Sequence, residues 1–144
     1  MAASGEDLAV RLQALMPVAL SLTMAGRGPE GLARLDVLPA VAGEVPLQHT
    51  GSLVIRGMCR LFTDDLNAAM TDLTESLTRL RRGTSLGYPG QCLVYLAEAE
   101  HRLGAWDHAL IHCWNAMTAV ACAGRVIVRV RLPASGRPAT ASSP

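Results

Sequence analysis

TDDLNAAMTDLTESLTRL, residues 63–80, decides the fold class. Leu66, Ala69, Met70, Leu73, Leu77 and Leu80 recur at the three- and four-residue spacing that gathers them on one side of an α-helix. Asn67, Asp72, Thr74, Glu75 and Thr78 fill the other side, so the spacing predicts an amphipathic helix. Its ends agree with the period. Thr63, Asp64 and Asp65 suit an N-terminal cap, while Arg79, Arg81, Arg82 and then Gly83 suit a C-terminal end, where cations meet the helix dipole. On this reading the arginine cluster is a solvated helix end rather than a phosphate-binding patch.

Further helices follow on both sides. Upstream, residues 49–62 carry Leu53, Val54, Met58 and Leu61 at helical spacing, with Thr50 or Ser52 as cap. Downstream, Pro89 suits a first turn, and Cys92, Leu96, Ala99 and Leu103 make the stripe of a helix closed by Gly104. From Trp106 to Val120 the positions Trp106, Ala109, Leu110, Cys113, Ala116, Met117 and Val120 form a wide apolar face, extended by Ile111 and Trp114. That width predicts central burial. In the N-terminal third, Ser4 and Asp7 resemble a capping box ahead of Leu8, Leu12 and Leu15, and Pro17 is expected to interrupt or kink this helix near Met16. Gly26-Arg27-Gly28 turns the chain, residues 29–38 form a short helix, and residues 39–48 a loop. Helical order is expected to stop near Gly124: RVIVRVRL alternates with period two, SGRPATASSP has the composition of a disordered end, and residues 125–144 are read as a disordered or irregular tail.

The sequence repeats itself. A shift of 40 lays Leu66 on Trp106, Ala69 on Ala109 and Met70 on Leu110; a shift of 42 lays Gly57 on Ala99, Arg60 on Arg102 and Leu61 on Leu103. A fainter copy lays Gly26, Gly31 and Leu32 on Gly104, Ala109 and Leu110 at a shift of 78. Residues 1–124 therefore divide into helix pairs at about 5–38, 49–81 and 89–123. Small residues at Gly57, Ala69, Ala99 and Ala109 let helices cross closely, and Leu66, Gly104 and Trp106 complete the expected packing set. The prediction is an all-α stack of antiparallel helix pairs.

Within it, LAEAEHRLGAWDHALIHCWNAM, residues 96–117, resembles a tetratricopeptide repeat: Leu96, Ala97, Leu103, Gly104, Trp106, Asp107, Ala109, Leu110 and Ala116 stand where that family has its packing residues. It departs at Glu100, where an aromatic is common, and lacks the proline after the second helix. Residues 50–124, with RGMCRLFTDDLNAAMTDL and YLAEAEHRLGAWDHAL, resemble the helical-repeat region of the large LuxR-family transcriptional regulators, which join an ATP-binding domain, a helical sensor region and a helix-turn-helix domain. The resemblance implies a fragment of the sensor region, without Walker A motif or DNA-binding domain, as in a truncated or frame-shifted relative. The tetratricopeptide resemblance implies a concave surface lined by the first helix of each pair, with His49, Ser52, Arg56, Gln91, Glu98 and His101 as its outward positions.

Composition narrows the chemistry. Of 144 residues half are apolar, and with one Phe, two Tyr and two Trp the core must be built from Leu, Ala, Val and Met, which suits helices. All 13 basic residues are arginine, so a P-loop lysine, a Schiff-base lysine and a lysine base are excluded. Residues 1–124 hold nine of the arginines against all 12 acids, a poor surface for nucleic acid. Direct DNA binding through Arg79, Arg81, Arg82 and the tail arginines is the alternative reading, and an enzyme is the third and least favoured. His108 and His112 have two-histidine metal spacing beside Cys113, but no HExxH glutamate follows, and they read as polar-face residues beside a core cysteine. Glu98, Glu100, His101 and Asp107 have no nucleophile placed with them, so no enzyme and no cofactor is expected. Cys59, Cys92, Cys113 and Cys122 contain no CxxC and read as small buried hydrophobes. The longest nearly apolar run, residues 15–25, has 11 residues, too short for a membrane span. A cytoplasmic module is expected, binding a protein or small effector and capable of self-association.

Overall fold

The computed structural model describes residues 5–83 and 89–131; residues 1–4, 84–88 and 132–144, and with them Ser4 of the expected capping box, Arg137 and most of the expected tail, lie outside it. The described residues are helical, with no strand among them. In chain order they form α1 (Gly5–Met24), α2 (Gly28–Ala33), α3 (Thr50–Phe62), α4 (Leu66–Arg81), α5 (Pro89–Arg102) and α6 (Trp106–Arg131). Two short 3-10 turns, Ala42–Glu44 and Leu47–His49, lie in the connection from α2 to α3. The all-α expectation holds.

Three helical hairpins, α1–α2, α3–α4 and α5–α6, are closed by one turn repeated three times. At its centre Gly26, Asp64 and Gly104 adopt φ of +78°, +65° and +79°. In each, the amide after that residue bonds the carbonyl five positions back: Arg27 to Leu22 at 2.9 Å, Asp65 to Arg60 at 3.0 Å and Ala105 to Glu100 at 2.8 Å. This is the Schellman closure, in which a left-handed residue satisfies the last carbonyls of a helix. Asp64 therefore belongs to the turn and not to a cap, and Asp65 at the start of α4 makes no side-chain cap bond.

The turns fix the repeat register at 38 from the first hairpin to the second and 40 from the second to the third. This corrects the shift of 42. By turn register Gly57 matches Ala97, and each hairpin crosses on two small residues: Ala19 with Gly31, Gly57 with Ala69, Ala97 with Ala109. The approach is tight. A Cβ on Gly31 would stand 2.6 Å from the Ala19 carbonyl oxygen, and one on Gly57 would stand 2.7 Å from Leu73 Cγ. Ala99, fully buried, instead turns toward the preceding hairpin, where it clusters with Leu61 and Ala69. Gly57, Ala69, Ala99 and Ala109 are all buried.

Hairpins follow one another in packing as in sequence. α3 meets α1 and α2 through Leu53 and Cys59, which join Leu12, Ala19 and Leu35 in one apolar cluster. α5 meets α4 and α3 through Cys92, Leu93 and Leu96, against Val54, Met58, Leu73 and Leu77. The long α2–α3 connection is held by two buried arginines. Arg56 donates to the Pro39 carbonyl at 2.6 Å and, through Nε and Nη2, to both carboxylate oxygens of Asp72 at 2.8 Å. Arg79 donates to the carbonyls of Val45 at 2.7 Å and Ala42 at 3.1 Å, with Glu75 on its Nε. The Pro39 and Val45 carbonyls, which accept no other backbone bond among the described residues, gain a partner in this way.

Several local expectations are revised. Pro17 lies inside α1, which is not interrupted there; Gln13, whose carbonyl loses its helical donor to the proline, is an exposed residue. α2 ends at Ala33 rather than near residue 38. Arg79 is buried and not a solvated helix end. α6 continues to Arg131, so residues 125–131 are helical despite their period of two. The apolar face of α6 is not centrally buried: Trp106, Leu110, Ile111, Trp114 and Met117 are each more than half exposed. α6 is the outermost helix of the described array, and an apolar stripe records what a helix could pack against, not whether a neighbour is present.

Candidate functional site

The uncovered face of the third hairpin forms a groove of about 600 Å³ between α5 and α6. Val94, Ala97, Glu98 and His101 supply one wall, Trp106, Ala109, Leu110 and Cys113 the other, and Phe62 at the end of α3 closes one side. A second depression of about 500 Å³ extends it along Val94, Cys113, Ala116 and Met117.

The repeat register identifies this surface. Moving back by 40 carries Val94, Trp106, Leu110, Cys113 and Met117 onto Val54, Leu66, Met70, Leu73 and Leu77, the surface of the second hairpin on which α5 lies. There the apolar groups are covered: Val54 is 8% exposed and Leu77 4%. Here their counterparts are open, Val94 at 53% and Met117 at 68%. The groove thus repeats the register and apolar lining of the surface that α5 covers, and no described helix lies on it.

Two positions change chemistry between the occupied seat and the open one. Met58 and Leu61, buried beneath α5, become Glu98 and His101, both exposed. Glu98 makes no hydrogen bond or ion pair among the described residues. His101 tilts against Trp106, with ring centroids 5.8 Å apart. Nearby Arg102 is engaged, donating to the Leu61 carbonyl at 2.8 Å and pairing with Asp64. A carboxylate with water on one side and an apolar trough on the other can select a cation on whatever fills the trough.

Of the six expected concave positions, the structure brings only Glu98 and His101 together in this groove. Gln91 is exposed on α5 but outside the groove lining. His49, Ser52 and Arg56 are buried, because α1 and the α2–α3 connection cover that part of α3: Ser52 Oγ lies 3.3 Å from Met16 Sδ, and Arg56 reaches Pro39 and Asp72. His49 keeps Nε2 buried without a hydrogen-bond partner. In the expected packing set, Trp106 is 65% exposed and Gly104 serves the turn rather than the core. Phe62, Val94 and Leu110 are groove residues that the carried-over concave positions miss; the signal available was their place in the repeat.

The other candidate groups have structural partners. Glu100, 3% exposed, lies 2.7 Å from His112 Nδ1 and joins α5 to α6 as Arg56 and Asp72 join α3 to α4. His112 and Asp72 are register equivalents, as are Glu100 and Arg60, so the two hairpins share a polar bridge position with the acid on opposite helices. No group of three histidine, cysteine, aspartate or glutamate side chains close enough to hold a metal ion occurs among the described residues. Burial raises the Cys59 thiol and pushes Cys92 up to about 11, which disfavours the nucleophilic thiolate. Cys113 is exposed in the groove rather than buried in the core. No described helix is long and apolar enough to cross a membrane.

Comparison of the chain with protein-family models, curated proteins and solved structures found no match.

Proposed function

We propose that the chain is a non-catalytic binding module, a tetratricopeptide-like stack of helical hairpins that receives an amphipathic helix of a protein partner in the α5–α6 groove. The observation that carries this reading is the repeat equivalence: the groove has the backbone register and apolar lining of the surface that seats α5 on the preceding hairpin. Such a seat uses helix-in-groove recognition, where apolar anchors one turn apart supply affinity and the rim supplies orientation. The resemblance to the sensor region of LuxR-type regulators fits a module whose output is a change of neighbour on this face. The DNA-binding alternative is weakened because Arg79 is buried on backbone carbonyls, leaving Arg81 and Arg82 exposed in that cluster.

The test uses a helix already fitted to such a seat. A peptide with the sequence of residues 89–104, stapled on its solvent side to fix the helix, is expected to bind the intact protein and shift the emission of Trp106. Leu110→Glu, at a position 69% exposed and so compatible with folding, is expected to weaken binding at least about tenfold by placing a charge in the trough. Absence of peptide binding, or binding indifferent to Leu110→Glu, would sink the reading.

A further inference from the structure

We infer that the partner helix carries a basic side chain, placed one turn before its small crossing residue, that pairs with Glu98. This rests on the helix-binding reading above and specifies the occupant's chemistry. The second hairpin supplies the template. Ala99 of α5 crosses at Leu61 and Ala69, and one turn earlier Leu96 shares a cluster with Met58. In the open seat Ala109 replaces Ala69 and calls again for a small residue at the crossing, whereas Glu98 replaces Met58. An apolar side chain at the Leu96 position of the incoming helix would cover a carboxylate without pairing it, and an unpaired charge is costly once water is displaced. An arginine or lysine there would meet Glu98 at the edge of the trough.

One rival occupant, the exposed face of α1 in a second copy of this chain, lacks that cation. That face offers Ala14, Pro17, Val18 and Ser21 in the same register, and Val18 stands where Leu96 does. Arg102 does not neutralise Glu98 internally, because its guanidinium is held by Leu61 and Asp64. The Glu98 edge of the groove therefore favours a helix with a positive edge over α1 of a second copy.

The experiment compares two stapled peptides of residues 89–104, the parent and one with Leu96→Arg, by fluorescence anisotropy on the full chain. The Leu96→Arg peptide is expected to bind about tenfold tighter than the parent at low salt, with the advantage shrinking as salt rises. In Glu98→Gln protein, checked by an unchanged melting curve, that advantage is expected to vanish while the parent peptide still binds. Equal binding of the two peptides, or a preference that survives Glu98→Gln, overturns the cation rule while leaving helix binding intact. Failure of both peptides removes the helix-binding reading itself. Peptide-free growth of particle mass with concentration, abolished by Val18→Glu, would make a second copy the occupant and would likewise overturn the inference.

Discussion

Asp72→Ala is expected to lower the stability of the fold by about 3–5 kcal/mol, the cost of removing one partner of a buried ion pair. Asp72 is fully buried and accepts from Arg56 Nε and Nη2 and from Arg60 Nη1, the last at 2.7 Å. Alanine leaves the Arg56 guanidinium, 5% exposed, with only the Pro39 carbonyl. Because Arg56 also holds the α2–α3 connection, the loss should reach beyond the α3–α4 hairpin and loosen the contact between the first two hairpins. Urea denaturation gives the magnitude, and amide exchange in residues 39–49 reports the loop. The double replacement Asp72→Leu with Arg56→Met separates charge from shape: it should recover much of the loss, since replacing both partners removes the unpaired charge. A loss below about 1 kcal/mol for Asp72→Ala would show that water reaches these guanidinium groups.

Gly57→Val should cost about 3 kcal/mol, the upper part of the range for overpacking a filled core. The reason is local. A Cβ at Gly57 meets Leu73 Cγ at 2.7 Å and Cδ2 at 3.0 Å, and Leu73 is itself fully buried, so neither helix can give without opening the crossing. Gly51, on the same helix, has nothing within 4 Å of its would-be Cβ. Gly51→Ala should therefore stabilise, by up to about 1 kcal/mol, through helix propensity alone. Thermal melts of the two variants should move in opposite directions. Equal shifts would mean that propensity, rather than close approach, governs both sites.

Periodicity made the helices legible because covering an apolar stripe is a local demand written every three or four residues. Residues 63–80 gave α4 within three residues of its observed start, and the alanines and glycines at 31, 57, 69 and 109 marked the crossings. The register was harder to read. A shift of 42 aligned identical residue types, Arg60 on Arg102, but turns are set by backbone hydrogen bonds, and these match Arg60 with Glu100. Burial was misread where it depends on a neighbour's presence. α6 has the composition of a central helix, and composition does not say whether a neighbour covers its apolar face; among the described residues none does. In α3 the reverse occurred: Ser52 and Arg56 look like surface residues, yet they face α1 and the connection that Arg56 itself pins. The candidate groove was half legible, through Glu98 and His101. Its apolar half, Phe62, Val94 and Leu110, emerges only when the third hairpin is laid on the second in the turn register.

The α6 face of the third hairpin, proposed to receive a helix, is covered by none of the described residues. Trp106 and Trp114, 65% and 69% exposed, are the chain's two tryptophans and lie on that helix. Acrylamide quenching of tryptophan emission, measured on dilute folded protein, tests the claim most directly. The predicted result is quenching nearly as efficient as in the denatured chain, falling when the stapled helix binds. Strong protection in the free monomer would contradict it, because some other part of the chain would then already cover the seat.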